Sequence, residues 1–237
     1  PMAGSTGVLV PPVGYLDRIR EICTKHGLLL IFDEVITGFG RTGAAFGADR
    51  FGVQPDMMIM AKGLTNAAVP MSAVAASDAV HDGLMVGPEN MIELFHGYTY
   101  SGHPVAAAVA LETLKIYEED DILGHVRTVA KRFQERLTNF GEHPLVGEVR
   151  GVGLVGATEL VKDKTTKEAF AAADDVGAMV SNYCLEQGLI TRPVGDSMCF
   201  CPPLIVSESE IDDMFDRYAH ALDDSLDALS RQGVAFA

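Results

Sequence analysis

The sequence predicts an α/β domain with a mostly parallel sheet, followed by a smaller α+β part. Three observations carry that reading. A helix-spaced stretch over 13–26 runs into an unbroken apolar run, Leu28 to Phe32, which ends in Asp33 and Glu34. A second apolar run, Met57 to Met60, ends at Lys62-Gly63. Beyond residue 104, long helical stretches alternate with short strand-like pairs. Unbroken apolar runs of strand length are the pattern of strands buried on both faces, as in parallel sheets. Alternation of helix and strand is how such sheets are wound.

Taken in order, the first helix carries Leu16, Ile19, Ile22 and Cys23 at helical spacing, and Gly27 stops it. The first strand is followed by a glycine-rich loop, GFGRTG, from Gly38 to Gly43. Pro55-Asp56 leads into the second strand, and Ser72 to Ala76 reads as a third. A loop of aromatic and small residues, HGYTYSGHP, spans His96 to Pro104. Val105 to about Glu118 is alanine-rich and strongly helical in propensity. The next helix, Leu123 to Phe140, carries Val126, Val129, Phe133 and Leu137. Glu148 to Leu160 alternates like a strand, and Ala171 to Gln187 reads as a helix stopped by Gly188. Leu189 to Arg192 and Ser197 to Cys201 read as paired strands around a Pro-Val-Gly-Asp turn. Ser207 and Glu210 form a capping box for the last helix. Its apolar stripe is Ile211, Met214, Phe215, Tyr218, Leu222, Leu226 and Leu229.

Composition narrows the function. A chain of 237 residues allows one large domain or two small ones. Hydrophobic residues at 48% and charged residues at 22% place it among globular chains. A net charge of -15 repels phosphate backbones, so no nucleic-acid partner is expected. A small phosphorylated cofactor, held by local donors, stays compatible with that charge. No apolar run approaches the roughly 18 residues that cross a bilayer, so no membrane partner is expected either. The four cysteines form no CxxC pair and no metal spacing, which fits a reducing, cytoplasmic setting and no metal site. Cys199 and Cys201 alternate along a strand and are expected to pack as small apolar groups. The chain opens on Pro1, without an initiator methionine or a charged-then-apolar leader, as expected of a piece that starts inside a longer chain.

The chemistry points to Asp33 and Lys62, each at the carboxyl end of an apolar strand, where α/β sheets bind ligands. A lysine there is expected to be desolvated, which favours the neutral, nucleophilic amine. An acid beside it can hold a pyridinium nitrogen protonated and keep a ring an electron sink. An ordinary ion pair between the two is the structural alternative. LLLIFDE also resembles a Walker B strand, but the GxxxxGK[ST] loop which that chemistry needs is absent from these residues. Gly151 to Gly156 matches GxGxxG literally, yet it runs into strand-like residues, so a tight turn is the expected reading. Thr99 offers a hydroxyl and an N–H suited to a phosphate, or to turn chemistry alone. Arg192 suits bidentate carboxylate recognition, or is a surface arginine.

Together, LLLIFDEVITGFGRTG, QPDMMIMAKGLT, HGYTYSGHPVAAA and ITRPVGDSMCFCPPLIVSESEIDDMF resemble class III aminotransferases of the ω-amino acid or amine:pyruvate branch, over nearly the whole chain. The resemblance implies the type I fold of pyridoxal-phosphate-dependent transferases. Residues 1–104 would finish the large cofactor domain, and 105–237 would form the linking helix and small domain. Lys62 would bind pyridoxal 5'-phosphate covalently and carry the proton between donor carbon and cofactor carbon. Asp33 would pair with the pyridine nitrogen, and Val35 would pack on one face of the ring. Tyr98 and Thr99 would contact the cofactor phosphate of a neighbouring subunit, which implies a homodimer. Arg192 would grip a substrate carboxylate and swing away for amines without one. Ser101-Gly102-His103-Pro104, in place of a Gly-Asn-Pro sequence, favours an ω-amino acid or primary amine as donor and pyruvate as acceptor. Family chains are about twice this length, which would make this the carboxyl-terminal half. Asn66-Ala67-Ala68 and Ser72 depart from the glycines usual at those places.

Overall fold

The first helix, α1 (Tyr15–His26), ends where Gly27 turns left-handed at φ 63° and the Leu28 N–H reaches back 2.8 Å to the Cys23 carbonyl. The chain then enters β1 (Ile31–Asp33), crosses through α2 (Gly47–Phe51), and returns as β2 (Met57–Met60) and β3 (Ala73–Ala76). The computed structural model describes residues 1–89 and 94–232. These divide into two units. The first comprises Pro1, Pro11–Gly40 and Ala44–Ile122, and the second holds Met2–Val10, Arg41–Gly43 and everything from Leu123 onward.

In the first unit the strands lie in the order β1-β2-β3. β1 and β2 are parallel, with Phe32 opposite Met58 and Asp33 opposite Ile59. β2 and β3 are antiparallel, so this sheet is mixed and not mostly parallel. The reason is the connection. Residues 61–72 hold one 3-10 turn, Lys62–Leu64, and no α-helix, which is the usual crossover of a parallel return.

The expectation of a first strand buried on both faces is also corrected. Leu30 and Phe32 are buried with Leu16, Ala48 and Val53, beneath α1 and α2. Leu29 and Ile31 face the other way and are 58% and 49% exposed. Ile59 and Val74 continue that exposed apolar face across the sheet. The two short helices cover one side, and among the described residues of this unit nothing covers the other. After α3 (Asp78–Leu84), α4 (Pro104–Glu119) begins with Pro104 in its first turn and the His103 ring accepting the Val105 N–H at 3.3 Å. Ala110 of α4 packs with Phe39 and Leu64 in a second small core.

The second unit is an antiparallel sheet of β4 (Val146–Val152), β5 (Val155–Leu160), β7 (Ser197–Phe200) and β6 (Arg192–Val194), in that order. It is joined by α5 (Ile122–Asn139), α6 (Val176–Glu186) and α7 (Glu208–Arg231). Phe133 and Leu137 of α5 and Ile211, Phe215, Tyr218 and Leu222 of α7 are wholly buried, as their spacing predicts. Phe140, Phe200, Phe215 and Tyr218 pack edge-to-face or tilted, 4.8–5.6 Å between ring centres. The capping box holds: the Ser207 N–H donates to Glu210 at 2.8 Å, and the Glu210 N–H donates to the Ser207 hydroxyl at 3.3 Å.

The glycines of GVGLVG make a hairpin, with Val152 paired to Val155, and open no helix. Gly153 sits at φ 60°, and a Cβ there would meet the Arg41 carbonyl oxygen at 2.5 Å. The α6 helix is shorter than its propensity suggests, because Ala172–Asp174 is a 3-10 turn and Asp175, at φ 46°, breaks the run. Cys199 is half-buried, but Cys201 lies past the end of β7 and is exposed, so only the first packs as expected. No helix among the described residues is long and apolar enough to cross a membrane.

Candidate active site

β1 and β2 are parallel neighbours, so their carboxyl ends emerge side by side, about 4.8 Å apart as adjacent strands are. Asp33 is the last residue of β1, and Lys62 comes two residues after the end of β2. The Glu34 N–H extends the ladder by donating to the Ile59 carbonyl at 2.9 Å. The acid and the lysine therefore leave the same edge of the sheet.

Asp33 is held by its own turn. Its Oδ1 accepts the Val35 N–H at 3.0 Å, and its other oxygen has no protein donor among the described residues. Lys62 opens the 3-10 turn with φ 47°, a left-handed conformation that a non-glycine residue adopts only when its surroundings impose it. Those surroundings are visible at the next residue. A Cβ on Gly63 would lie 2.7 Å from the Phe39 Cβ, so Phe39 packs directly on the backbone beside the lysine. Both Asp33 and Lys62 are exposed. The predicted desolvation of Lys62 is thus not met within this chain, because the sheet face next to it is uncovered.

Tyr98 and Thr99 lie in the turn before α4. The Tyr98 N–H donates to the Ser101 hydroxyl at 3.2 Å, and the Ser101 N–H returns to the Tyr98 carbonyl at 3.0 Å. Gly102, at φ 70°, completes the turn. Tyr98 is 77% exposed, and the Thr99 hydroxyl is left unspent among the described residues. Neither residue bonds to Asp33, Val35 or Lys62.

Arg192, in the second unit, starts the edge strand β6. In the sheet register Arg150, Ala157, Cys199 and Arg192 stand opposite one another, one from each strand. Directly opposed residues of antiparallel strands share a face, so Arg192 stands next to Cys199 and Arg150 lies on the same face beyond Ala157. Burial pushes the Cys199 thiol up in pKa, while Arg150 and Arg192 pull it down. Arg150 is fully engaged: it donates to Gly7 at 2.7 Å, Glu159 at 2.5 Å and Ser197 at 2.9 Å. Arg192 is exposed and has no ion-pair partner among the described residues.

Sequence reasoning missed two residues. Glu34 is wholly buried, and its carboxylate accepts from Gly47 at 2.9 Å, from Ala48 at 2.7 Å and from the Thr37 hydroxyl. Arg41 donates to the carbonyls of Leu154 at 2.9 Å and Pro202 at 2.6 Å. Glu34 had a faint signal, a threonine three residues on, but the partners of Arg41 are 113 and 161 residues away.

An acid with an unspent oxygen beside the lysine of the next strand suits a cofactor with a ring nitrogen and a carbonyl, and the separate turn at the start of α4 carries a hydroxyl that suits a phosphate. The comparisons agree with that class. The chain belongs to the class III aminotransferases, whose family description, Aminotransferase class-III, matches residues 1–222. Members of that family use pyridoxal 5'-phosphate. The chain is 49% identical to an omega-aminotransferase of Caulobacter vibrioides over 94% of its own length and 49% of that protein. It is 46% identical to the putrescine–pyruvate aminotransferase of Pseudomonas aeruginosa, over 97% of this chain and 49% of that one. The fold matches the omega transaminase of Pseudomonas jessenii solved with PMP, with a TM-score of 0.90 at 42% identity, covering 97% of this chain and 51% of that one. The fold is therefore that of the type I transferases, and the chain spans about half the length of the curated relatives it matches.

Proposed function

We propose that the protein to which this chain belongs is an aminotransferase that moves an amino group from an ω-amino acid or primary amine to a keto acid, with pyruvate as the acceptor. The observation that carries the reading is the placing of Asp33 and Lys62 on one edge of a parallel strand pair. Pyridoxal phosphate supplies an electron sink that stabilises negative charge on the donor carbon. Lys62 holds it covalently and, when released by the donor amine, moves a proton off the donor carbon. Asp33, oriented by the Val35 N–H, keeps the ring nitrogen protonated, and Val35 packs on the ring. Their worth lies in favouring the transition state over the bound amine.

Tyr98 and Thr99 bind the cofactor phosphate of a second subunit in a homodimer, which accounts for so exposed an aromatic turn. Arg192 binds the carboxylate of the acceptor, and its exposure and lack of an ion pair among the described residues support that role. The first unit is then the cofactor-bearing part and the second the part that carries the carboxylate grip, in a cytoplasmic enzyme.

The test uses the full-length protein. Borohydride reduction and peptide mapping are expected to place the pyridoxyl mass on Lys62. Lys62→Ala is expected to lose that label and at least about a thousandfold in turnover, the scale of a removed nucleophile and proton carrier. Label on another residue, or amine turnover that consumes no keto acid, sinks the reading.

A further inference from the structure

We infer that Glu34 is the positioning residue of the site: its buried carboxylate ties the loop after β1 to the start of α2 and so fixes both the aim of Asp33 and the backbone of Lys62. The inference rests on the proposed reading of those two residues. Glu34 is the one residue between Asp33 and Val35, whose N–H orients Asp33. It is fully buried, although it follows an exposed acid. A buried carboxylate is costly unless its oxygens are satisfied. Here Oε1 accepts the Ala48 N–H at 2.7 Å, and Oε2 accepts the Gly47 N–H at 2.9 Å and the Thr37 hydroxyl.

The backbone of Glu34 is pinned as well. Its N–H donates to Ile59 of β2, and its carbonyl accepts the Gly38 N–H at 2.9 Å. A Cβ on Gly47 would stand 2.5 Å from the Pro1 Cγ, 3.0 Å from Glu34 Oε2 and 3.1 Å from the Thr37 Cβ, so the position is closely packed on the tie as well as on Pro1. The tie therefore closes the loop 34–48 on itself. Within that loop sits Phe39, itself left-handed at φ 55°, and its side chain presses on Gly63 beside Lys62. One carboxylate thus holds two lines of support. One runs through the turn to Asp33, and the other runs through Phe39 to the lysine turn. Carboxylates that accept backbone N–H groups in a dry setting give geometric constraint of this kind.

The experiment uses the full-length protein saturated with pyridoxal phosphate, and measures the first-order donor half-reaction at saturating amine across pH. Glu34→Gln keeps the volume but turns an NH2 group toward a donor. It is expected to slow the half-reaction at least about tenfold. It should also move the absorbance–pH profile of the bound cofactor, read without amine, to lower pH, because a misaligned Asp33 holds the ring nitrogen's proton less firmly. Val53→Ala, which loosens the core under α2 without touching the carboxylate, is the comparison. Its rate is expected within twofold of the parent. Equal slowing in both variants, or a Glu34→Gln rate and profile like the parent's, overturns the inference and leaves Glu34 a fold residue only. Should Glu34→Gln fail to fold, Thr37→Val removes one donor of the three and is expected to shift the profile in the same direction by less; an unshifted profile overturns the inference. Borohydride mapping of the parent enzyme separates the two ideas. Label on Lys62 sustains the reading whatever Glu34 does, and label elsewhere removes the reading and the inference together.

Discussion

The two units solve the problem of burial differently. In the second, α5 and α7 bring completely buried side chains, Phe133, Leu137, Ile211, Phe215, Tyr218 and Leu222 among them, and the four-stranded sheet closes against them. In the first, a sheet of three short strands buries one face and leaves Ile31, Ile59 and Val74 exposed on the other. The unit with the complete core carries Arg192 on its edge strand. The unit with the open face carries the acid, the lysine and the hydroxyl turn. On the proposed reading, the face that this unit leaves open is the one beside the acid and the lysine.

The contrast can be broken most directly in the core of the second unit. Phe215→Ala is expected to cost about 3–5 kcal/mol, as removal of a large buried ring does, and to abolish amide protection in β5 and β7 during hydrogen exchange. A loss below about 1 kcal/mol would mean that this core is looser than its packing implies.

A smaller effect comes from His143. Its Nε2 is 3.5 Å from Asp223, too long for a hydrogen bond but short enough to favour the charged ring. Burial outweighs that attraction, and the nearby Lys164 adds to the lowering, so the pKa falls below the usual 6.5. A histidine kept neutral by folding lets the unfolded chain bind more protons. Stability is therefore full above pH 6.5 and declines as pH drops from there to the folded pKa. Thermal melts between pH 7 and pH 5 should show the decline, and His143→Gln should flatten it.

The smallest effect is expected on the open face. Val74→Ser should change the protection of β2 and β3 amides in this chain by no more than about 0.5 kcal/mol, as exposed positions do. In the full-length protein the same change should cost about 1.5 kcal/mol or more if the face is covered there. Equal small costs in both would show that the face stays bare.

How much of this was legible depended on how local the cause was. Asp33 and Lys62 stand out because each ends an apolar run, and the capping box at Ser207 needs only three residues of context. The GVGLVG hairpin was readable from the strand-like residues after Gly156. The direction of β3 was not, since it depends on a connection whose shape no periodicity reports. The exposure of Ile31 was hidden too, because a residue's own pattern does not say whether a covering layer is present. Asp175 ended a helix early through a backbone state that propensity does not foresee. Glu34 and Arg41 escaped because their partners are joined only by the fold.

The bonds of Arg41 and Gly7 also set an order of events. Gly7 waits for Arg150, 143 residues later, and Arg41 waits for Pro202, 161 residues later. Contacts between such distant parts of a chain form slowly, because the loop must close before it is rewarded. During synthesis the second unit cannot be completed by its own contiguous stretch, since two of its pieces, Met2–Val10 and Arg41–Gly43, have already been made and must be kept available. A protease cut between the units would for the same reason release no independent second half: the early pieces would stay attached to the other product.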